Sequence, residues 1–296
     1  MKRRIIMLLV VLACVSIGQA SLVCHYKFDG NLTDSSANNY PAGDGALVGD
    51  TQYVAGKYGQ ALDFDGVQDF VQIMVAPNGT GGWIPIYRAE FQEKVSFAMW
   101  VKMDAYPADV ADIFVSREWL AGNTNIEFHP FGFGLDTPFF LVAHGTFLTE
   151  YPHKTIAPEK LGNWFHLAVT YDANVGGEGQ ACMYIDGVPS DVVPITSGAM
   201  VRIGNYTLGG CAMYDARWLD GQVDELYIYD QILTPSDIDD IINDIPVSET
   251  HVCGDAGYFA GDINKDCYVN MGDFAQMALE WLKCSNLNLE RCEIAD

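Results

Sequence analysis

From Leu22 to about Pro246 the chain is broken at close intervals by residues that force it to turn. Asp29-Gly30-Asn31, Asp65-Gly66, Asn174-Val175-Gly176-Gly177 and Asp186-Gly187 are turn formers, supplying positive φ or short side chains that bond their own backbone. Between them lie short segments in which apolar and polar residues alternate: Leu22–Phe28, Val95–Val101, Trp164–Tyr171, Met183–Ile185 and Val223–Tyr229. Period-two alternation is what a half-buried strand requires. A chain punctuated this way predicts an all-β sandwich or jelly roll. One helix is expected near its end. Thr234 can cap it, Pro235 suits the first turn and Asp237 completes a capping box, while Ile238, Ile241, Ile242 and Ile245 form a stripe to pack on the sandwich.

A second pattern stands near the C-terminus. In Asp262-Ile-Asn-Lys-Asp-Cys-Tyr-Val-Asn-Met-Gly-Asp273, oxygen-bearing side chains fall at places one, three, five, nine and twelve of a twelve-residue loop. That spacing lets a chain wrap Ca²⁺, a hard cation taking six to eight oxygens. Asp262, Asn264 and Asp266 would approach from one side, the Tyr268 carbonyl from another, with Asn270 at place nine and Asp273 closing the shell. Phe274, Met277, Ala278, Trp281 and Leu282 then mark one face of a following helix, so that loop and helix make half of an EF-hand.

Composition limits the partners. Formal net charge is −23, which disfavours nucleic acid and anionic lipid and attracts divalent cations. The N-terminus predicts an export signal over residues 1–20: Lys2, Arg3 and Arg4, an apolar run from Ile5 to Ile17, then Gly18-Gln19-Ala20 before a cut. The run is too short to span a bilayer, which takes about 20 residues. Val11-Leu12-Ala13-Cys14 offers an alternative, a lipobox that would make Cys14 a lipid-modified end. Cleavage after Ala20 would leave net charge −26 and seven cysteines. Cys253, Cys267, Cys284 and Cys292 crowd the tail, where a small core gains from covalent closure in an oxidising compartment. Cys253–Cys267 with Cys284–Cys292 is the favoured one of three possible pairings. Cys24, Cys182 and Cys211 leave an odd thiol.

The Asp262–Asp273 loop and its helix resemble a dockerin type I repeat. The resemblance implies Ca²⁺ as cofactor. It departs in having one repeat instead of two and Cys267 where Gly is usual, so a cohesin-like partner does not carry over with it. The ending Trp281–Cys284 resembles single-repeat tails of secreted proteins of planctomycete-type bacteria.

The body resembles a laminin-G-like domain of the concanavalin A-like lectin/glucanase fold. Six stretches carry this in order: Tyr26–Ser36, Gly56–Gly66, Phe97–Val101, Trp164–Ala168, Met183–Gly187 and Asp220–Tyr229. Ala76–Phe91 looks like an insertion in that pattern. The resemblance implies one structural Ca²⁺ near the first and last strands, where Asp29 and Asp224 match ligand positions. Glucanases of this fold carry Glu-x-Asp-x-Glu on one strand, which sets two carboxyls about 5 Å apart for retaining hydrolysis. That motif is absent, and strand alternation places Asp224 and Glu225 on opposite faces. No Gly-x-Ser-x-Gly, His-Glu-x-x-His or phosphate loop is present. His166 reads as part of its strand's structural pattern. Sugar binding favours aromatic faces, which singles out Trp83, Trp119 and Trp218, with Tyr87 as a further candidate.

The sequence thus predicts an exported calcium-binding protein: a sandwich over 22–246, a linker over 247–252 and a dockerin-like module over 253–292. It would recognise a polysaccharide or cell-surface glycan without catalysis, and the tail offers a site for a protein partner. A glycoside hydrolase or lyase with an atypical site, and an assembly component docked through its tail, are the alternatives.

Overall fold

The computed structural model describes residues 21–36, 45–105, 111–116, 124–129, 139–144, 158–175, 178–190, 192–195, 200–211, 217–245 and Met277. The export signal, Cys14, Trp119, the linker, the tail loop and the tail cysteine pairs lie outside these residues, and Met277 is helical. The chain divides into two compact units, Met1–Ile245 and Pro246–Asp296.

In the first unit the strands run, in order, β1 (Leu22–Tyr26), β2 (Ala46–Val48), β3 (Gln52–Ala55), β4 (Gln60–Asp65), β5 (Phe70–Ile73) and β6 (Val75–Pro77). Next come β7 (Trp83–Pro85), β8 (Lys94–Met103), β9 (Phe114–Ser116), β10 (Thr124–His129) and β11 (Phe139–His144). Then follow β12 (Trp164–Val175), β13 (Glu178–Ile185), β14 (Val188–Pro189), β15 (Val193–Ile195), β16 (Tyr206–Leu208) and β17 (Asp220–Tyr229). Among the described residues of the unit one helix exceeds a turn, α1 (Pro235–Ile242), at its end.

A nine-stranded sheet runs β14-β13-β12-β8-β17-β4-β3, with β1 also on β17 and β15 also on β13. A six-stranded sheet runs β11-β10-β9-β16-β5-β2, and β6 and β7 form a separate ribbon. Alternation decides what faces what. On β8, Val95, Phe97, Met99, Val101 and Met103 enter the core between the sheets, as do Phe165, Leu167, Val169 and Tyr171 of β12. Phe97, Phe114 and Tyr206 meet there, with ring centroids 4.6 to 5.8 Å apart. The intervening residues, Ser96, Trp100 and His166 among them, point to the outer face of the nine-stranded sheet.

α1 covers part of that outer face. Its capping box forms as expected: Thr234 Oγ1 accepts from Asp237 N, and the Asp237 carboxylate accepts from Thr234 N at 2.7 Å. Ser96 Oγ donates to Gln231 O and accepts from Leu233 N, fixing the approach to the helix. Ile238 and Ile241 are buried, whereas Ile245 lies beyond the last turn and is exposed. The stripe expected from the sequence therefore stops one residue short, at the half-buried Ile242.

The Ala76–Phe91 stretch forms the β6–β7 ribbon, paired Val75↔Pro85 to Pro77↔Trp83 and closed by Asn78–Gly82. Trp83 thus stands on a strand.

Candidate functional site

β2 and β3 are the edge strands of the two sheets and follow one another through Gly49–Thr51. At this open edge Leu32, Thr33, Gly45, Ala46, Leu47, Tyr53 and Trp83 line a groove of about 350 Å³. Trp83 is 39% exposed and Leu47 42%, so both present apolar surface to the groove instead of filling the core. Tyr53 is half-buried, and its surroundings push the phenol pKa above the usual value by desolvation. Two aromatic side chains beside aliphatic ones, with Thr33 contributing a hydroxyl, make a surface on which the flat face of a sugar ring can stack.

Among the other aromatic candidates, Trp218 and Tyr87 lie in the described residues and are held by neighbouring side chains. Trp218 stacks on Phe70 at 5.9 Å and lies so close to Gly210 that a Cβ there would meet its ring at 2.3 Å. Tyr87 Oη accepts from Asn205 Nδ2, and the Arg202 guanidinium lies 4.2 Å from its ring centroid.

The acids of the last strand are arranged differently from simple alternation. β17 passes Asp224 opposite Trp100 and Tyr227 opposite Ala98, so two residues face one on β8. This bulge, with Glu225 at φ 52°, brings Glu225 to the same outer face as Asp224 instead of the opposite one. Glu225 binds His25 Nε2 and accepts from Tyr227 Oη at 3.2 Å, while the His25 and Tyr227 rings stack at 3.8 Å. Both carboxylates are buried, Asp224 completely, so no polysaccharide reaches them.

Asp29 and Asp224 hold two ends of the same turn. Asp29 Oδ1 accepts from Gln60 N at 2.8 Å, and Asp224 Oδ2 accepts from Tyr58 N at 3.0 Å. Burial pushes Asp224 up to about 7, an effect that the Tyr58 N–H opposes. Its second oxygen is buried with no hydrogen-bond partner. An orphaned carboxylate oxygen of this kind suits a hard cation.

Next along the row, Trp100 lies between Asp224 and His166. Lys57 Nζ sits 4.0 Å from the Trp100 ring centroid. His166 is fully buried, with no partner on either ring nitrogen, and burial lowers its pKa to about 3. A ring held neutral and sealed from solvent has the structural role its strand pattern implied.

The sequence reading passed over Tyr53 and Leu47 in the groove, and also a cluster of carboxylates. Asp50, Asp65 and Asp69 bring one oxygen each within 4.8 Å of one another. Asp69 is buried and already accepts from Asp50 N and Asp65 N; its pKa is raised chiefly by that burial. Asp50 and Asp65 are exposed. In donor chemistry the three fit a divalent cation. Only the Asp-Gly turn at Asp65 signals any of this in the sequence, because the third member comes from across the β3–β4 hairpin.

Two facing antiparallel sheets with a shallow aromatic groove at their open edge define an antiparallel β-sandwich. The chain belongs to the concanavalin A-like lectin/glucanases superfamily, whose family model matches residues 78–239. No curated protein matches it in sequence. Among solved structures it resembles domain 4 of AbnA, a GH43 extracellular arabinanase from Geobacillus stearothermophilus, in complex with arabinotriose. Identity is 23% and the TM-score 0.55, with 76% of this chain and 99% of that one covered. It also resembles the binding domain of botulinum neurotoxin DC in complex with SialylT, at 13% identity and TM-score 0.54, covering 76% of this chain and 51% of the other. A third is the binding domain of paraclostridial mosquitocidal protein 1, at 12% identity and TM-score 0.55, covering 75% and 52%. The chain thus spans about half the length of the two toxin domains. No helix among the described residues is long and apolar enough to cross a membrane.

Proposed function

We propose that this is an exported, non-catalytic glycan-recognition protein whose sandwich holds a neutral sugar chain in the groove beside Trp83. The observation that carries the reading is the pairing of a 39% exposed Trp83 with Tyr53 in an open groove. A tryptophan that large is left half in water at some cost, which stacking on a ligand recovers. The arabinotriose and SialylT complexes of the resembled domains support an oligosaccharide as ligand. Arabinotriose and a panel of neutral oligosaccharides are the first probes. Binding should change tryptophan fluorescence, and Trp83→Ala should abolish that response while Trp218→Phe keeps it. A panel with no binder, or binding unchanged in Trp83→Ala, would defeat the reading.

Calcium belongs to the proposal in two places. In the tail, Asp262, Asn264, Asp266, Asn270 and Asp273 with the Tyr268 carbonyl would hold one ion. On the sandwich, the orphaned Asp224 oxygen and the carboxylate of Asp29 would serve a second, stiffening the 56–60 turn. Asp273 would fill the closing, bidentate place of its loop. Calorimetry on the intact protein should therefore show the tail site lost in Asp273→Ala, and equal Ca²⁺ stoichiometry in the two proteins would remove it.

A further inference from the structure

Asn78-Gly79 is the one Asn-Gly step in the sequence, and it sits at the exposed tip of the β6–β7 ribbon. Its geometry is unusual for a surface amide. Asn78 Oδ1 accepts three hydrogen bonds at 2.9 Å each, from Thr80 N, Thr80 Oγ1 and Gly82 N. Asn78 N also donates to Gly82 O, so the side chain is tied to a closed loop of backbone. Gly79 has φ 76°, and a Cβ built on it would meet nothing within 4 Å, so the tip is open on that side.

We infer that this tip is a self-modification site, at which the fold promotes deamidation of Asn78. The Gly79 backbone nitrogen, losing its proton to hydroxide, attacks Asn78 Cγ. The negative charge that develops on Oδ1 meets three donors already aimed at it, the arrangement by which an oxyanion hole lowers a barrier. The Cγ–N bond of the carboxamide then breaks and ammonia leaves, giving a succinimide ring. Water opens the ring at either carbonyl, yielding aspartate or isoaspartate with no change of oxidation state. The aspartate product keeps an oxygen for the same three donors, now as stronger charge-assisted bonds. The isoaspartate product adds a backbone carbon and breaks the loop. Either product places a negative charge on the residue next to Pro77, the register partner of Trp83. A folded loop ordinarily slows this reaction by restraining the side chain. Here the donors should outweigh that restraint.

The test is incubation of the native protein in mildly alkaline heavy-oxygen water, followed by peptide mass mapping. The peptide containing Asn78 should exchange its amide nitrogen for one heavy oxygen at least as fast as in the urea-unfolded chain. Thr80→Val, which removes only the hydroxyl donor, should slow the native reaction several-fold without changing the unfolded rate. Conversion slower in the native protein than in urea, or a native rate unchanged by Thr80→Val, overturns the inference. Neither readout depends on sugar binding, so the chemistry stands or falls apart from the groove's function.

Discussion

His166 shows what a single buried side chain does to the pH response. Its folded pKa is lowered to about 3 by burial, while the unfolded chain takes up a proton near 6.5. Above 6.5 both states are neutral and the residue's contribution is fully present. As pH falls from 6.5 toward 3 only the unfolded chain binds the proton, so stability is lost by about 1.4 kcal/mol per pH unit. Urea unfolding across this range should therefore show His166→Phe, which fills a similar space and leaves no orphaned nitrogens, gaining stability relative to the natural protein as pH falls. A parallel pH dependence in the two proteins would show that His166 does not stay neutral. The role of His166 was legible in the sequence because its neighbours Phe165 and Leu167 fix the face it takes. Glu225 was not. Alternation places it opposite Asp224, and only the bulge, where three strands meet β17, turns it toward His25.

At the scale of elements, α1 is the part read most directly. Every feature of its start is local: Thr234, Pro235 and Asp237 lie within four residues and satisfy one another. Thr234→Ala should cost about 1 kcal/mol, because Asp237 N loses its acceptor at the first turn. Denaturant midpoints should shift by that amount, with the slope unchanged; no shift would mean the helix contributes nothing to the sandwich. The groove, by contrast, was half legible. Trp83 stood out as an aromatic in a turn-rich stretch, but Leu47 and Tyr53 join it only through pairing across different sheets, which no local pattern encodes. Trp218 is held by contacts that are equally remote in sequence: Gly210 makes room for its ring, and Phe70 stacks on it.

For the whole molecule, charge decides what can approach. A net charge of −23 repels sulfated polymers, and that repulsion is screened over about 8 Å at physiological salt. Binding of a neutral oligosaccharide should therefore keep its affinity from low to moderate salt, whereas heparin should not bind at low salt. Titrations at two salt concentrations check both, and heparin binding that strengthens as salt is removed would point to an unforeseen basic face. The fold class and the strands β1, β8, β12, β13 and β17 were legible because turn residues bracket alternating segments in the first unit. The pairing that closes the sandwich was not, because it joins residues about 200 apart in the chain, such as Leu22 and Tyr229.

That pairing governs the order in which the molecule can come into being. β17 is the shared neighbour of β1, β4 and β8, so the sheet's centre is the last of the first unit's described strands to be synthesised. Until it emerges, β1 has nothing to pair with and β8 lacks one whole flank. A growing chain must therefore wait, its earlier strands unsealed, and then fold in a single late event. A polypeptide that has to pass through a narrow pore before folding is well served by such a delay, since the step that locks it shut is postponed until nearly all of the domain has been threaded.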